Sequence, residues 1–253
     1  DAQGKAGKLA GRIVLVNAPM RTDIDPFEAY GEVYPFRAES ASRAARYGAR
    51  AVLVRSLTTR SMQTPHTGGM RYEDNVPRVP AAAISIEDAD MLQRLVREGT
   101  PVRVKLRMGA REKKDAMSAN VIAELRGSEH PDEIVLIGAH LDSWDVGCGA
   151  SDDGAGVVGA MSVLSSFKNL SLMPKRTVRV VLFTNEENGM RGARAYFATH
   201  GHEKHIAAIE SDAGAGKVVG FSVSGSQAEL ARVRALAMPL ESIGGNKIEG
   251  FAG

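Results

Sequence analysis

The stretch that decides the fold is Gly138-Ala-His-Leu-Asp-Ser-Trp-Asp-Val-Gly-Cys-Gly-Ala-Ser-Asp-Asp-Gly-Ala-Gly156. It follows the apolar run Ile134-Val-Leu-Ile137, which is typical of a buried strand. A helical pattern follows it, with apolar residues on one face at Val157, Met161, Leu164 and Phe167. A strand, a loop and an amphipathic helix in succession predict an α/β fold with a mostly parallel sheet.

This loop is unusually acidic. It contains one histidine and four aspartates, namely His140, Asp142, Asp145, Asp152 and Asp153. Close carboxylates repel each other and raise each other's pKa, so we expect a cation to hold the loop together. Carboxylate oxygens combined with an imidazole favour a divalent metal of the zinc type.

Two later strand patterns also end in acidic residues. The nearly all-apolar run 177–184, typical of a central strand covered on both faces, is followed by Glu186 and Glu187. The run 205–210 ends in Glu210 and leads to Asp212. Because the carboxyl ends of parallel strands share one rim, these residues are predicted to meet His140 in one cleft. Two metals about 3.5–4 Å apart, bridged by one aspartate, would account for so many carboxylates.

The first hundred residues have a different pattern and predict a smaller α/β domain. Strands are expected at 12–17, 51–55, 82–86 and 101–108, with helices at 37–47 and from Glu87 to Gly99. The charged run 110–115 lacks periodicity, so the predicted domains are residues 1–112 and 113–253. In the second domain we expect residues 120–125 to pair with residues 133–137 across a turn. Further strands are expected at 205–210 and 218–223, and helices at 190–199 and 227–238. No closing strand is expected at the end.

Composition excludes several classes of protein. The 253 residues are 43% hydrophobic and carry a net charge of only +2, which gives no field that attracts nucleic acid. No apolar run approaches the ~20 residues that a membrane span needs. Cys148 has no partner for an intrachain disulfide. The chain opens on Asp1 rather than Met, so we expect a processed or trimmed N-terminus. The expected location is secreted or periplasmic, although the sequence shows no targeting signal.

Four motifs together resemble the co-catalytic zinc exopeptidases of the aminopeptidase and glutamate carboxypeptidase type. They are Gly138-Ala-His-Leu-Asp-Ser143, Gly149-Ala-Ser-Asp-Asp-Gly-Ala-Gly156, Asn185-Glu-Glu-Asn-Gly189 and Glu210-Ser-Asp-Ala-Gly214. The string 140–147 is most similar to the plasma glutamate carboxypeptidase (carboxypeptidase Q) group. Ser61-Met-Gln-Thr-Pro-His-Thr-Gly68 and the segment from Val79 resemble that group's protease-associated insert. The resemblance implies a three-layer αβα zinc-peptidase core, incomplete at its C-terminus, beside a protease-associated domain.

The resemblance also implies a role for each site residue. His140 would bind one zinc, Asp152 would bridge both, Asp212 would complete the first site and Glu187 would bind the second. The catalytic residues would be Glu186, as general base toward a water activated by two zinc ions, and Asp142, hydrogen-bonded to the other nitrogen of His140. Asp153 would lie in a strained peptide beside the bridging ligand. Substrates would be dipeptides or short peptides, and relatives are often homodimers.

One expected ligand is missing. The family uses a second histidine well downstream of the last aspartate, whereas no histidine follows Asp212 in this chain. We therefore expect a truncated chain with an incomplete second zinc site.

Other interpretations stay open. His140 could be a core histidine, Glu186 and Glu187 could complement a helix dipole, and Asp152 and Asp153 could cap the next helix. Two other functions are a non-catalytic binding module and a single-zinc acyltransferase of the glutaminyl cyclase kind.

Overall fold

The structure is a computed structural model and describes residues 7–60, 63–111, 113–145 and 147–250. It divides into two compact units, Asp1–Ala116 and Met117–Gly253. None of the described helices is long and apolar enough to cross a membrane.

The first unit is a small parallel α/β unit. Its sheet has the order β1-β2-β3, with β1 Ile13–Val16, β2 Ala51–Arg55 and β3 Ala81–Ile84, and all pairs are parallel. Helix α1, Pro26–Ala45, connects β1 to β2, and α2, Ile86–Arg97, follows β3. Val52 and Val54 of β2 pack against Val33 of α1 in the core.

Two sequence expectations for this unit were wrong. The first helix begins at Pro26 rather than Arg37, because Asp25 caps it by accepting hydrogen bonds from the backbone N–H groups of Phe27 (2.9 Å) and Glu28 (3.3 Å). Residues 101–108, predicted as a strand from their alternation, contain no strand. Alternation describes a face, but a strand also needs a neighbour to take its backbone hydrogen bonds, and the described sheet is made of β1, β2 and β3.

The second unit is built on a four-stranded sheet with the order β4-β6-β5-β7. The strands are β4 Val121–Leu125, β5 His130–His140, β6 Arg176–Phe183 and β7 Lys204–Glu210. The β5–β6 and β5–β7 pairs are parallel, and only β4 runs antiparallel, against β6. The α/β class with a mostly parallel sheet is thus confirmed, and β5, β6 and β7 end at the same rim.

Helices cover both faces of this sheet. Helix α3, Ala155–Asn169, packs through Ala160 on Val180 and Leu182 of β6. Helix α4, Arg191–His200, packs through Tyr196 on Val181 and Phe183, which point to the opposite face. This arrangement gives the three layers that were expected, and it explains why β6 is an almost unbroken apolar run.

The C-terminal part of the unit contains smaller elements. They are β8 Gly220–Val223, α5 Gln227–Ala237, a 3₁₀ helix Met238–Ile243 and β9 Lys247–Gly250. The parallel pair β8–β9 corrects the expectation that no strand follows the last helix.

The predicted partner of β4 was also wrong, since Val121 lies opposite Leu182 of β6 and not opposite β5. The turn between β4 and β5 leads instead to a non-adjacent strand.

Candidate metal centre

His140 is the last residue of β5 and the most deeply placed polar group of the site. Only 1% of its surface is exposed. Its Nδ1 lies 2.8 Å from the backbone carbonyl oxygen of Asp142, an acceptor that requires the proton to be on Nδ1. The neutral ring therefore presents the lone pair of Nε2, the form that binds a metal.

Two carboxylates lie at that Nε2. Asp152 Oδ1 is 3.1 Å away and Asp212 Oδ1 is 3.2 Å away. His140, Asp152 and Asp212 form a group whose ligand atoms all lie within 4.8 Å of one another. These three residues come from β5, from the turn before α3 and from the segment after β7, so the predicted convergence at one rim is what the structure has.

Close backbone packing brings the three segments together. The N–H of Ser211 donates to the carbonyl of Gly138 (3.2 Å), which holds the segment after β7 against β5. A Cβ at Gly156, in the first turn of α3, would collide with the carbonyl oxygen of Ser211 and with the carboxylate of Asp153. Glycine at this position is therefore what lets α3 begin so close to Asp212.

Asp152 and Asp153 are adjacent but have different hydrogen-bond partners. The Asp153 carboxylate is 2% exposed and accepts from the backbone N–H groups of His140 (3.0 Å) and Gly156 (3.1 Å). It thus holds the first turn of α3 and the backbone of His140 at the same time. Asp152, joined to it by a cis peptide bond, turns its carboxylate to Nε2 instead.

Asp142 acts differently from the sequence prediction. Its carboxylate is 3.8 Å from His140 Nδ1, and the hydrogen bond to that nitrogen is made by its backbone carbonyl. The carboxylate accepts from the N–H groups of Glu186 (2.9 Å) and Glu187 (3.2 Å). Asp142 therefore links the β5 end to the loop after β6.

Glu186 and Glu187 lie in that loop and not at a helix N-terminus, since α4 begins only at Arg191. Burial, helped by Asp152 and Glu186, raises the pKa of Glu187 to about 7. One of its carboxylate oxygens, Oε1, is buried without a hydrogen-bond partner. A carboxylate in that state lacks the proton donor or cation that burial requires.

The pKa values of the neighbouring carboxyl groups are raised as well. Burial raises the pKa of Glu186, and Asp212 adds to the effect. Burial also raises the pKa of Glu210, and the charge of Asp212 adds to this shift. Burial likewise raises the pKa of Asp212, and the charge of Asp152 adds to it. For His140, burial alone would lower the pKa, but the carbonyl of Asp142 and the nearby carboxylates outweigh it and raise it. The pattern is that of a site short of positive charge.

The donor set fits a divalent metal. The imidazole of His140, the two carboxylates directed at its Nε2 and a buried carboxylate oxygen without a hydrogen-bond partner are ligand types that zinc takes. The structure places all six site residues predicted from the sequence near this rim, namely His140, Asp142, Asp152, Glu186, Glu187 and Asp212. The sequence did not indicate that Asp153 fixes the His140 backbone or that Asn120 hydrogen-bonds Thr184 and Gly192 around the Glu186 loop.

Fold and site together define a three-layer α/β protein with a metal-binding His-Asp-Asp group at the strand ends. Residues 120–242 match the sequence family described as Peptidase family M28, and they span this whole site. The part of the chain that carries the site therefore matches peptidase family M28.

Two curated relatives extend the match over almost the whole chain. Carboxypeptidase Q of Xenopus laevis is 40% identical over 247 residues, which are 95% of this chain and 51% of that protein. Carboxypeptidase Q of Homo sapiens is 40% identical over 245 residues, 95% of this chain and 50% of that protein. The chain thus spans about half the length of these relatives.

Solved structures agree. The crystal structure of a peptidase M28 precursor from Shewanella amazonensis is 38% identical, with a TM-score of 0.88 over 96% of this chain and 55% of that one. A zinc aminopeptidase from Bacillus subtilis shares the fold, with 19% identity and a TM-score of 0.51 over 98% of this chain and 56% of that one.

Proposed function

We propose that this chain forms the core of a zinc-dependent exopeptidase that hydrolyses dipeptides or short peptides. The observation that carries the proposal is the position of His140, whose Nδ1 is occupied by a backbone carbonyl while Nε2 faces Asp152 and Asp212. A histidine in a merely structural role has no need of two carboxylates at its remaining nitrogen, because each adds an unfavourable desolvation.

Two zinc ions per active site are proposed for the complete protein, as the resemblance to the co-catalytic zinc exopeptidases implies. His140 and Asp212 would hold the first, Glu187 the second, and Asp152 both. The buried, unpartnered oxygen of Glu187 supports its part in a second site. Zinc supplies, when bound, a Lewis acid that polarises the peptide carbonyl and lowers the pKa of water.

Glu186 is proposed as the general base. Its carboxyl pKa is raised by burial and by Asp212, toward the range in which a carboxylate both accepts and returns a proton near neutral pH. Asp142 holds the Glu186 backbone through the N–H group, so the carboxylate is presented from a fixed position. In the reaction Glu186 takes a proton from the attacking water and gives it to the departing amine.

The proposed substrate carries a free α-amine. The rim holds Asp152, Glu186, Glu187, Glu210 and Asp212, and in the described part of the chain the basic group that lies against Asp152 and Asp212 is the imidazole of His140. An ammonium group is the part of a peptide that such a rim attracts. Aminopeptidase or dipeptidase action is therefore favoured over attack at a free carboxyl end.

The test combines metal analysis with peptide turnover. Purified protein is analysed for zinc by mass spectrometry and incubated with unblocked, N-acetylated and C-amidated dipeptides. Glu186→Gln is expected to keep its zinc and lose turnover by about 10²–10⁴-fold, the contribution of a general base. Glu129→Gln, at an exposed glutamate that pairs with Lys175, serves as the matched control.

The outcomes separate the competing functions. Unchanged turnover in Glu186→Gln would contradict the base assignment, and preferred cleavage of N-acetylated peptides would contradict the role of the α-amine. A protein that binds no zinc and cleaves none of the peptides would be a binding module of the same fold.

A further inference from the structure

The loop from Thr184 to Gly192 carries the Glu186–Glu187 pair in an unfavourable backbone conformation. Asn185 and Met190 both have positive φ, at 58° and 56°, a region that side chains other than glycine rarely occupy. A residue in this conformation is strained, and it persists only where the surrounding contacts fix it. The contacts that hold this loop therefore decide where Glu186 and Glu187 lie.

One set of contacts closes the loop at its base. The N–H of Gly192 donates to the carbonyl of Thr184 (3.0 Å), and the N–H of Arg191 donates to the carbonyl of Asn185 (3.2 Å). A Cβ at Gly192 would collide with the Thr184 carbonyl and with the side-chain oxygen of Asn120. The two ends of the loop thus meet at van der Waals distance, with a third group against them.

That third group is the amide of Asn120, directly before β4. Its Oδ1 accepts from the N–H of Thr184 (3.1 Å), and its Nδ2 donates to the carbonyl of Gly192 (2.9 Å). One planar side chain thus satisfies a donor at the loop's first residue and an acceptor at its last. A carboxamide offers a donor and an acceptor on one planar side chain, whereas an aspartate offers acceptors alone.

Asn120 and Asp142 hold the loop from different strands. Asp142, at the end of β5, bonds the N–H groups of Glu186 and Glu187 in the middle of the loop. Asn120, at the start of β4, bonds its two ends. Because β4 and β5 lie on either side of β6, the loop is fastened from both neighbours of the strand that carries it.

We propose that Asn120 is a positioning residue of the site, whose carboxamide closes the Thr184–Gly192 loop and so fixes Glu186 and Glu187 toward the metal centre. The proposal rests on the proposed function for its effect on turnover, whereas the closure of the loop does not depend on it. Displacing a reacting group by about 1 Å costs on the order of 10²-fold in rate, and loss of a group that orients a metal ligand costs roughly 10–100-fold in affinity.

The experiment compares Asn120→Ala and Asn120→Asp with Asn169→Ala, at an exposed asparagine in the last turn of α3. Three quantities are measured on each protein: kcat and KM for an unblocked dipeptide, zinc affinity by competition with a chromogenic chelator, and amide hydrogen exchange of residues 184–192 without metal. Asn120→Ala is expected to lower kcat by about 10–100-fold with KM nearly unchanged, to weaken zinc binding by a similar factor and to speed exchange in the loop.

Asn120→Asp keeps the acceptor for Thr184 but places an oxygen against the carbonyl of Gly192. It is expected to resemble Asn120→Ala in kcat and to show faster exchange at Gly192, with Thr184 still protected. Asn169→Ala is expected to match the parent protein in all three quantities.

Normal kcat per folded molecule, normal zinc affinity and normal loop exchange in Asn120→Ala would overturn the proposal, even if that variant melts earlier. If the parent protein itself binds no zinc and cleaves no peptide, the proposed function fails. In that case loop exchange alone decides whether Asn120 closes the loop.

Discussion

The two ends of the four-stranded sheet carry the same kinds of residue in opposite states. Toward the amino ends of β5, β6 and β7 lies the amino-end network, in which acids and bases are matched: Glu124, Glu133, Arg176, Arg179, Glu203 and Lys204. At the carboxyl ends lies the carboxyl-end cluster, in which acids surround one imidazole: His140, Asp152, Glu186, Glu187, Glu210 and Asp212. The acids of the amino-end network are neutralised by its own basic side chains, whereas the acids of the carboxyl-end cluster need a cation.

The pKa shifts of the carboxylates follow this difference. Hydrogen bonds from Lys204 and Arg176 lower the pKa of Glu133, and a hydrogen bond from Arg179 lowers that of Glu203. At the carboxyl ends burial raises the pKa of Glu187 to about 7. Paired carboxylates stabilise the folded chain, whereas unpaired buried ones destabilise it until a ligand compensates them. The sheet therefore separates a stabilising end from a binding end.

The largest expected effect removes the imidazole of the carboxyl-end cluster. His140→Ala is expected to lose the first metal. Peptide turnover is expected to fall by at least about 10³-fold, because the water is then no longer activated by that metal. Zinc content and turnover are measured together. A variant that retains full zinc content would show that the His-Asp-Asp group is not the binding site. His202→Ala is the control, at a histidine in the turn between α4 and β7.

The next effect concerns the best-connected cation of the amino-end network. Arg179 is 7% exposed and hydrogen-bonds Glu124, Glu203 and the hydroxyl of Tyr196. Arg179→Met is expected to lower the free energy of unfolding by about 1.5–3 kcal/mol, because three acceptors lose a charged donor. Urea denaturation measures it. A change below about 0.5 kcal/mol, as for an ordinary surface site, would mean that the network does not stabilise the sheet.

Asp142 tests how the carboxyl-end cluster is held. Asp142→Ala removes both acceptors for the Glu186 and Glu187 N–H groups but keeps the backbone carbonyl that bonds His140 Nδ1. Turnover is expected to fall by about 10–100-fold, with the first metal retained. Asp145→Ala, at an exposed position of the same loop, is the control. Loss of the first metal in Asp142→Ala would indicate that its carboxylate, and not its carbonyl, fixes His140.

The smallest effect is at the exposed pair of Lys204 with Glu133. The folded-state pKa of Glu133 lies below its unfolded value, so its contribution is present above the unfolded pKa and disappears as the pH falls through the folded value. Lys204→Met is expected to lower Tm slightly at pH 7 and to match the parent protein only at a pH below the folded-state pKa of Glu133, where that carboxyl group is protonated in both states. A Tm difference that persists unchanged in acid would exclude this ion pair as its cause.

The sequence predicted the binding end better than the stabilising end. Acidic residues directly after apolar strands identify the rim, because parallel strands must end together, and this rule located His140, Glu187 and Asp212. No such rule joins Arg179 to Glu124, 55 residues away, or places Asn120 at Thr184, 64 residues away. Those contacts depend on the strand order β4-β6-β5-β7, and the sequence had suggested β4 beside β5.

Pairing and capping explain the remaining errors. The alternation of residues 101–108 indicated a strand, but alternation does not supply a hydrogen-bonding neighbour. The N-terminal part of α1 was missed because Gly31 and Pro35 interrupt its pattern, although the cap at Asp25 and Pro26 in the first turn allow the helix to begin there. The predicted domain boundary and the roles of the individual zinc ligands stay predictions.

The central claim, that the two ends differ in charge compensation, is tested most directly by removing one charge from each in metal-free protein. Glu187→Gln removes an ionised carboxylate whose raised pKa makes it destabilising above about pH 7, and Glu203→Gln removes one whose lowered pKa makes it stabilising. At pH 8 the account predicts a higher Tm than the parent protein for Glu187→Gln and a lower Tm for Glu203→Gln. Shifts of the same sign in both variants would contradict it.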